Sequence, residues 1–265
     1  MISFSKYHGA GNDFIVVDDR EQRFPLLEKE LISRLCNRHT GIGADGLILL
    51  QPSQKAQIRM RIFNADGGEA EMCGNGIRCL FHFARSINAC EKRAEIETMA
   101  STLLCTQEEG ELISVLHPIP QLISRDLLVQ ERLFDLVDSG VPHALHLVKD
   151  IHEVEVDGVG RRVRHDPQFF PGGTNVTFVQ PHLEKGLLLV RTYERGVEGE
   201  TQACGTAAVA AAFIASKKLS APRKLKVQTL SKVIFETELK EKGVELKGPA
   251  ELIFEGKFET GRSYP

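Results

Sequence analysis

Two short stretches constrain this chain more than any other: Met72-Cys73-Gly74-Asn75-Gly76 and Ala203-Cys204-Gly205-Thr206-Ala207, half the chain's length apart. In each, a cysteine precedes a glycine and a small hydrogen-bonding residue, and a stretch of helical apolar spacing or high alanine content follows. Each cysteine is therefore expected at the start of a core helix. There, unpaired N–H groups and the positive end of the helix dipole favour a thiolate, and the glycine lets an anion approach the same amides. Two such starts imply two similar halves.

The residues around the cysteines repeat as well. Gly9-Ala10-Gly11-Asn12 is a turn that feeds the β-branched run Phe14 to Val17, and Gly172-Gly173-Thr174-Asn175, preceded by Pro171, feeds Val176 to Val179. Ile58 to Phe63 alternates as a half-exposed strand and delivers Asn64-Ala65-Asp66-Gly67 ahead of Cys73, which poises Asn64 near that sulfur. Leu187 to Tyr193 likewise presents Glu194-Arg195-Gly196 ahead of Cys204. A helix is expected from Pro25 through Leu26, Leu27, Leu31, Ile32 and Leu35. Gly41 to Gly46 fits the dinucleotide pattern G-x-G-x-x-G, but it follows a helix and runs into the strand Leu47 to Leu50, the reverse of what that fingerprint requires. Further strands are expected within 94–115, turning at Glu108-Glu109-Gly110, and at 134–137, 144–148, 225–229, 233–239, 243–247 and 252–254. His117-Pro118-Ile119-Pro120 breaks the pattern. The expected fold is α+β: two similar domains, each a mostly antiparallel sheet around one central helix, facing each other across a cleft.

With 265 residues, 42% of them hydrophobic, the chain can bury the cores this requires. The formal net charge is -3 and no basic block stands out, so nothing points to nucleic acid or a membrane surface. No apolar run reaches the length of a membrane span, and the N-terminus lacks the order of a signal peptide, so a cytoplasmic protein is expected. The six cysteines form no Cys-x-x-Cys pair and no zinc-like cluster.

Two thiols on similar opposed halves suit the inversion of a carbon stereocentre, which needs a base on one face and an acid on the other. A cysteine, with an ordinary pKa of about 8.5, can serve as either once a helix N-terminus lowers that value. Amides at two helix starts, aimed at a substrate carboxylate, would stabilise the carbanion beside it, and no cofactor is then required. The non-enzymatic alternative is a thiol redox or metal-storage pair. Entry of solvent deuterium at a substrate α-position separates the two.

Gly11-Asn12-Asp13-Phe14, Gly41 to Asp45, Phe63-Asn64-Ala65-Asp66-Gly67, Met72 to Cys79, Pro142-His143, Asn175, Glu194-Arg195-Gly196, Glu200-Thr201 and Ala203 to Thr206 together resemble the diaminopimelate epimerase family over nearly the whole chain. The resemblance implies a cofactor-independent isomerase that interconverts LL- and meso-diaminopimelate, works as a homodimer, and returns its last strand to the first domain. The domains would then be 1–116 with 251–265, carrying Cys73, and 117–250, carrying Cys204. Cys73 and Cys204 would be the acid/base pair, and the amides of Gly74, Asn75, Gly205 and Thr206 would hold the reacting carboxylate. Asn12 would lie near the reacting amine, while Asn64, Asn175, Glu194 and Arg195 would read the distant amino-acid end. His143 and Glu194 would tune the thiols. Val141, Gly46 and Ala207 depart from the family pattern. The first two would each remove a side chain near the substrate, which leaves a broader amino-acid racemase, acting for example on glutamate, as the alternative.

Overall fold

The computed structural model of the chain describes residues 1–25, 29–109, 112–166 and 172–259. The chain divides into two compact units, Met1–Val115 with the segment from Pro249 onward, and Leu116–Gly248. The divisions fall at 115/116 and 248/249, against 116/117 and 250/251 in the sequence reading.

The first unit opens with a hairpin of β1 (Ile2–Gly9) and β2 (Asn12–Asp18). Its two turn residues, Ala10 and Gly11, both have positive φ, 60° and 90°, the left-handed pair whose twist matches the flanking strands. Asn12 is thereby fixed as the first residue after the turn. The chain then passes through α1 (Lys29–Cys36) to β3 (Gly46–Gln51), parallel to β2, and β4 (Ile58–Asn64), antiparallel to β3. A two-residue β5 (Glu69–Ala70) pairs back on β4, and α2 (Gly74–Ser86) leads to β6 (Arg93–Glu97), parallel to β4. Strands β7 (Thr102–Gln107) and β8 (Ile113–His117) follow, β7 pairing with β6.

Helix α2 is the centre of this unit. Ile77, Leu80, Phe81 and Ala84 recur at helical spacing and pack with Tyr7, Phe14, Val16, Ile48, Leu50, Ile62 and Ile96. Burying each large side chain contributes about 1.5–3 kcal/mol, so this face fixes where the helix starts. Leu31, Ile32 and Leu35 of α1 meet Ile15, Val17, Leu47 and Leu49 from the other side. Strands β2 and β3 are thus covered on both faces, which is why they read as continuous apolar runs. Leu26 and Leu27, expected in the first helix, lie outside the described residues, as do Gly110 and Pro171.

The second unit repeats this order. Strands β9 (Gln121–Val129), β10 (Arg132–Asp138) and β11 (Pro142–Leu147) pair antiparallel in succession. Helix α3 (Val156–Arg164) then leads to β12 (Asn175–His182), parallel to β11, and β13 (Leu187–Glu194) returns antiparallel. The short β14 (Gly199–Thr201), α4 (Gly205–Leu219) and strands β15 (Lys224–Gln228), β16 (Ile234–Lys240) and β17 (Gly243–Gly248) complete it, β15 lying parallel to β13. Gly205 through Ala215 of α4 are buried on every side, as an alanine-rich helix apolar all round should be.

The chain closes with β18 (Glu251–Phe258), which pairs antiparallel with β1 from Ile2↔Phe258 to His8↔Glu251. It occupies beside β1 the place that β9 occupies beside β10. The result is a two-domain α+β fold in which the end of the chain supplies an outer strand of its beginning.

Candidate active site

In the first unit Cys73 is the N-cap of α2, with φ −142° and ψ 120°, and its sulfur accepts a hydrogen bond from the Gly76 N–H at 3.4 Å. Gly74 and Asn75 form the first turn, where the N–H groups point out of the helix start at the positive end of its dipole. A Cβ on Gly76 would lie 3.0 Å from the side chains of Ile48 and Ile62, so the glycine lets the helix start sit down on β3 and β4. Asn12 meets this start. Its Oδ1 is 3.7 Å from the Cys73 sulfur and 3.5 Å from Asn75 Nδ2.

Charged residues that the sequence reading did not single out surround this group. Asp45 accepts from Asn12 Nδ2 at 2.7 Å and from the Asp13 N–H at 3.1 Å, and Arg38 bridges Asp13 and Asp45. The buried Lys6 ammonium bonds Asp13 and the Gly43 carbonyl. The fully buried Arg78 donates to Gly74 O at 3.0 Å, Asn75 Oδ1 at 2.7 Å and Pro249 O at 3.1 Å. The signal for Arg78 was present in the sequence: an arginine amid the apolar residues of a core helix must find several acceptors.

Asn64 ends β4, exposed, and its backbone closes the turn with Gly68. Gly46 of β3 lies opposite it in register. A Cβ there would come within 2.5 Å of the Phe63 carbonyl oxygen, so the two paired strands run close at this point.

In the second unit Cys204 is the N-cap of α4, buried, with φ −124° and ψ 113°. A line of buried polar side chains runs from it. The sulfur is 3.3 Å from Thr206 Oγ1, that oxygen is 2.9 Å from His143 Nε2, His143 Nδ1 is 3.0 Å from Thr177 Oγ1, and Thr177 faces Thr192 at 3.4 Å. His143 therefore reaches the sulfur through the Thr206 hydroxyl. Only the amide of Thr206 was singled out in the sequence, and Thr177 and Thr192 passed there as strand formers. Burial, aided by the positive charge of Arg195, pushes the His143 imidazole down to about 3, so it is neutral at physiological pH.

Asn175 Nδ2 donates to Pro142 O at 3.1 Å and lies 3.5 Å from His143 Nε2, while its Oδ1 accepts from the Arg195 N–H at 2.8 Å. Glu194, at the end of β13, accepts from the Thr201 hydroxyl at 2.8 Å. The Arg195 guanidinium contacts Gly172 O at 3.4 Å. Asn175, His143 and Thr206 thus form one group with Cys204, and Glu194 belongs to the neighbouring β13–β14 turn.

Two of these groups link the sites to stability. Burial opposes ionisation of Asp13, but hydrogen bonds from Arg38 and Lys6 outweigh it and hold the carboxyl down to about 2. Unfolded, Asp13 titrates at about 4 and His143 at about 6.5. Between the folded and unfolded values the unfolded chain binds the extra proton in both cases, so both contributions are complete at neutral pH and lost on acidification. Stability is expected to fall from about pH 6.5 downward through His143, and further below about pH 4 through Asp13. Urea midpoints measured from pH 7.5 to 3.5 check this, and a flat profile between pH 7 and 4 would show that the fold does not hold His143 neutral.

Among the described residues no helix is long and apolar enough to cross a membrane, and no group of three His, Cys, Asp or Glu side chains could hold a metal ion. Comparison with known proteins finds that the sequence model of the family described as diaminopimelate epimerase matches residues 4–116 and 136–253. A diaminopimelate epimerase of Aquifex aeolicus is 38% identical over 273 residues, covering 97% of this chain and 98% of that one. One of Chlorobaculum tepidum is 40% identical over 255 residues, covering 94% and 98%. Among solved structures, a probable proline racemase from Agrobacterium radiobacter K84 superposes with a TM-score of 0.76 at 15% identity, covering 98% of this chain and 93% of that one, a likeness of fold alone.

Proposed function

The chain is an isomerase of the diaminopimelate epimerase family, and from that premise we propose that it interconverts LL- and meso-diaminopimelate with Cys73 and Cys204 as the two proton carriers. The observation that supports this most is the duplicated helix start: each unit holds a cysteine as the N-cap of its central buried helix. One sulfur, as thiolate, takes the α-proton and becomes a thiol. The electron pair left on carbon delocalises into the carboxylate, whose oxygens gain charge and meet the amides of Gly74, Asn75, Gly205 and Thr206. The S–H of the other cysteine gives its proton to the opposite face and becomes a thiolate, so one turnover exchanges the protonation states of the two sulfurs. Each well-aimed donor to such an oxyanion is worth about 3 kcal/mol of barrier. His143 acts on Cys204 through the Thr206 hydroxyl, while Asn64, Asn175, Glu194 and Arg195 take the distant amino-acid end. A homodimer belongs with this family reading, and light scattering on the purified protein tests it.

The deciding experiment follows α-deuterium uptake from D2O with LL-diaminopimelate, meso-diaminopimelate and L-glutamate side by side. Uptake with both diaminopimelate isomers and not glutamate is expected. Uptake led by glutamate would replace the assignment with a broader racemase, and none with any of the three would overturn it.

Val141 bears on that selectivity, since it precedes Pro142 and His143 where an asparagine would offer the substrate an amide. Val141→Asn is expected to raise kcat/KM for diaminopimelate relative to glutamate about tenfold, the value of one hydrogen bond to a charged group. An unchanged ratio would mean that other donors already serve the distant carboxylate.

A further inference from the structure

The charged cluster around Asn12 has no part in the chemistry described above, yet it determines which way one amide points. A carboxylate only accepts hydrogen bonds and a guanidinium only donates them. Asp45, 2.7 Å from Asn12 Nδ2, therefore requires the NH2 of Asn12 on its own side and leaves the carbonyl oxygen toward α2. Arg78, 2.7 Å from Asn75 Oδ1, turns the second amide so that its NH2 meets the Asn12 oxygen at 3.5 Å. Both ends of the Asp45–Asn12–Asn75–Arg78 line are thus set by groups with a single hydrogen-bonding role. The Asn12 oxygen left facing the Cys73 sulfur at 3.7 Å can accept an S–H and offers nothing to a thiolate.

We propose that Asp45 is a positioning residue: clamped by Arg38, it orients the Asn12 amide so that its oxygen holds the proton on Cys73. The clamp is visible in the contacts Asp45 makes. Its Oδ1 lies 2.8 Å from Arg38 Nη2, its Oδ2 takes both Asn12 Nδ2 and the Asp13 N–H, and its own N–H bonds the Asp13 carbonyl at 3.0 Å. The Gly-Ala-Asp segment of the loop between α1 and β3 thereby acquires a purpose. It sets how readily a sulfur at a helix N-terminus gives up its proton, against the N-cap geometry and the Arg78 charge, which both favour the thiolate. Among the described residues, the other charged or titratable groups near this sulfur and its amide partner include Cys79 on α2, Lys6 and His8 on β1, and Asp13 and Arg38 beside Asn12. This bears on catalysis only if Cys73 carries a proton in the reaction, whereas the titration below reads the sulfur itself.

The test measures the rate at which iodoacetamide modifies Cys73, by peptide mass spectrometry from pH 5.5 to 9.5, in the full chain without substrate. Asp45→Ala removes the acceptor, freeing the Asn12 amide to turn its NH2 to the sulfur. The apparent pKa of Cys73 is expected to drop by about one unit, roughly tenfold more thiolate at neutral pH. Asp45→Asn removes the same charge but keeps an acceptor oxygen, and is expected to stay within about a factor of two of the wild-type profile. Equal shifts in both variants would mean that the charge of Asp45 acts and not its hold on the amide. Identical profiles for all three proteins would mean that Asn12 does not govern the proton. Either result overturns the assignment, and near-ultraviolet circular dichroism confirms that each variant is folded.

Discussion

Cys73→Ala and Cys204→Ala are each expected to lower epimerisation by about a thousandfold or more while leaving the protein folded, because a positioned acid or base contributes 10²–10⁴ in rate and each face of the α-carbon needs its own carrier. The two losses are not expected to multiply in the double variant, since removing either sulfur already stops the proton relay. Fold should survive, because a cysteine to alanine change removes a single heavy atom at a helix N-cap. The discriminating measurement is isotopic. A variant keeping one sulfur can still exchange the α-proton of the isomer whose hydrogen faces that sulfur, without inverting it, so Cys73→Ala and Cys204→Ala should exchange opposite isomers of diaminopimelate. Either variant epimerising at more than a few per cent of the wild-type rate would remove that cysteine from the mechanism.

Arg78→Met is expected to cost on the order of 3 kcal/mol of stability, since hydrogen bonds from a charged donor are worth about 1.5–3 kcal/mol each and their buried acceptors are left unsatisfied. Arg78 has no exposure, and three of its nitrogens reach Gly74 O, Asn75 Oδ1 and Pro249 O. Methionine fills much of the same volume, so the loss reports the hydrogen bonds more than a cavity. Arg78→Lys should rescue little of it, because an ammonium cannot span three separated acceptors as a guanidinium does. Urea denaturation checks both variants. An Arg78→Met protein within about 1 kcal/mol of wild type would mean that water replaces the lost donors.

Both helix starts could be read from the sequence because local signals agree there: a small polar and glycine pair, then either i, i+3, i+4 apolar spacing or a run of alanine. The loop after α1 does lie between a helix and a strand, as read, since that is a matter of order along the chain. What escaped depends on contacts between distant segments. Helix α3 carries Gly158 and Gly160, which read as breakers, yet a Cβ on Gly160 would lie 2.4 Å from that of Tyr193, so the glycine is there to let the helix against β13. Strand β9 puts the apolar Ile123 and Leu128 at exposed positions, so its sequence does not alternate apolar with polar as a half-buried strand does. The setting of Asn12 comes from Lys6, Arg38 and Asp45, and that of His143 from Thr177 and Thr206. No spacing rule links these, because the strand pairings bring them together. The return of the last strand to the first unit came only from family resemblance, since nothing in Leu252 to Phe254 names its partner.

That return has a consequence for how the molecule is made. During synthesis β1 emerges well before β18, so the edge of β1 that β18 covers keeps its backbone groups unpaired until the second unit has been translated. The second unit is contiguous and meets no such delay. Because Ile2 stands beside Phe258, a rearranged gene that begins at Pro249, runs through a short linker into Met1 and ends at Gly248 would make both units contiguous. In that order the first unit's own nascent segment would cap its sheet before the second unit is translated.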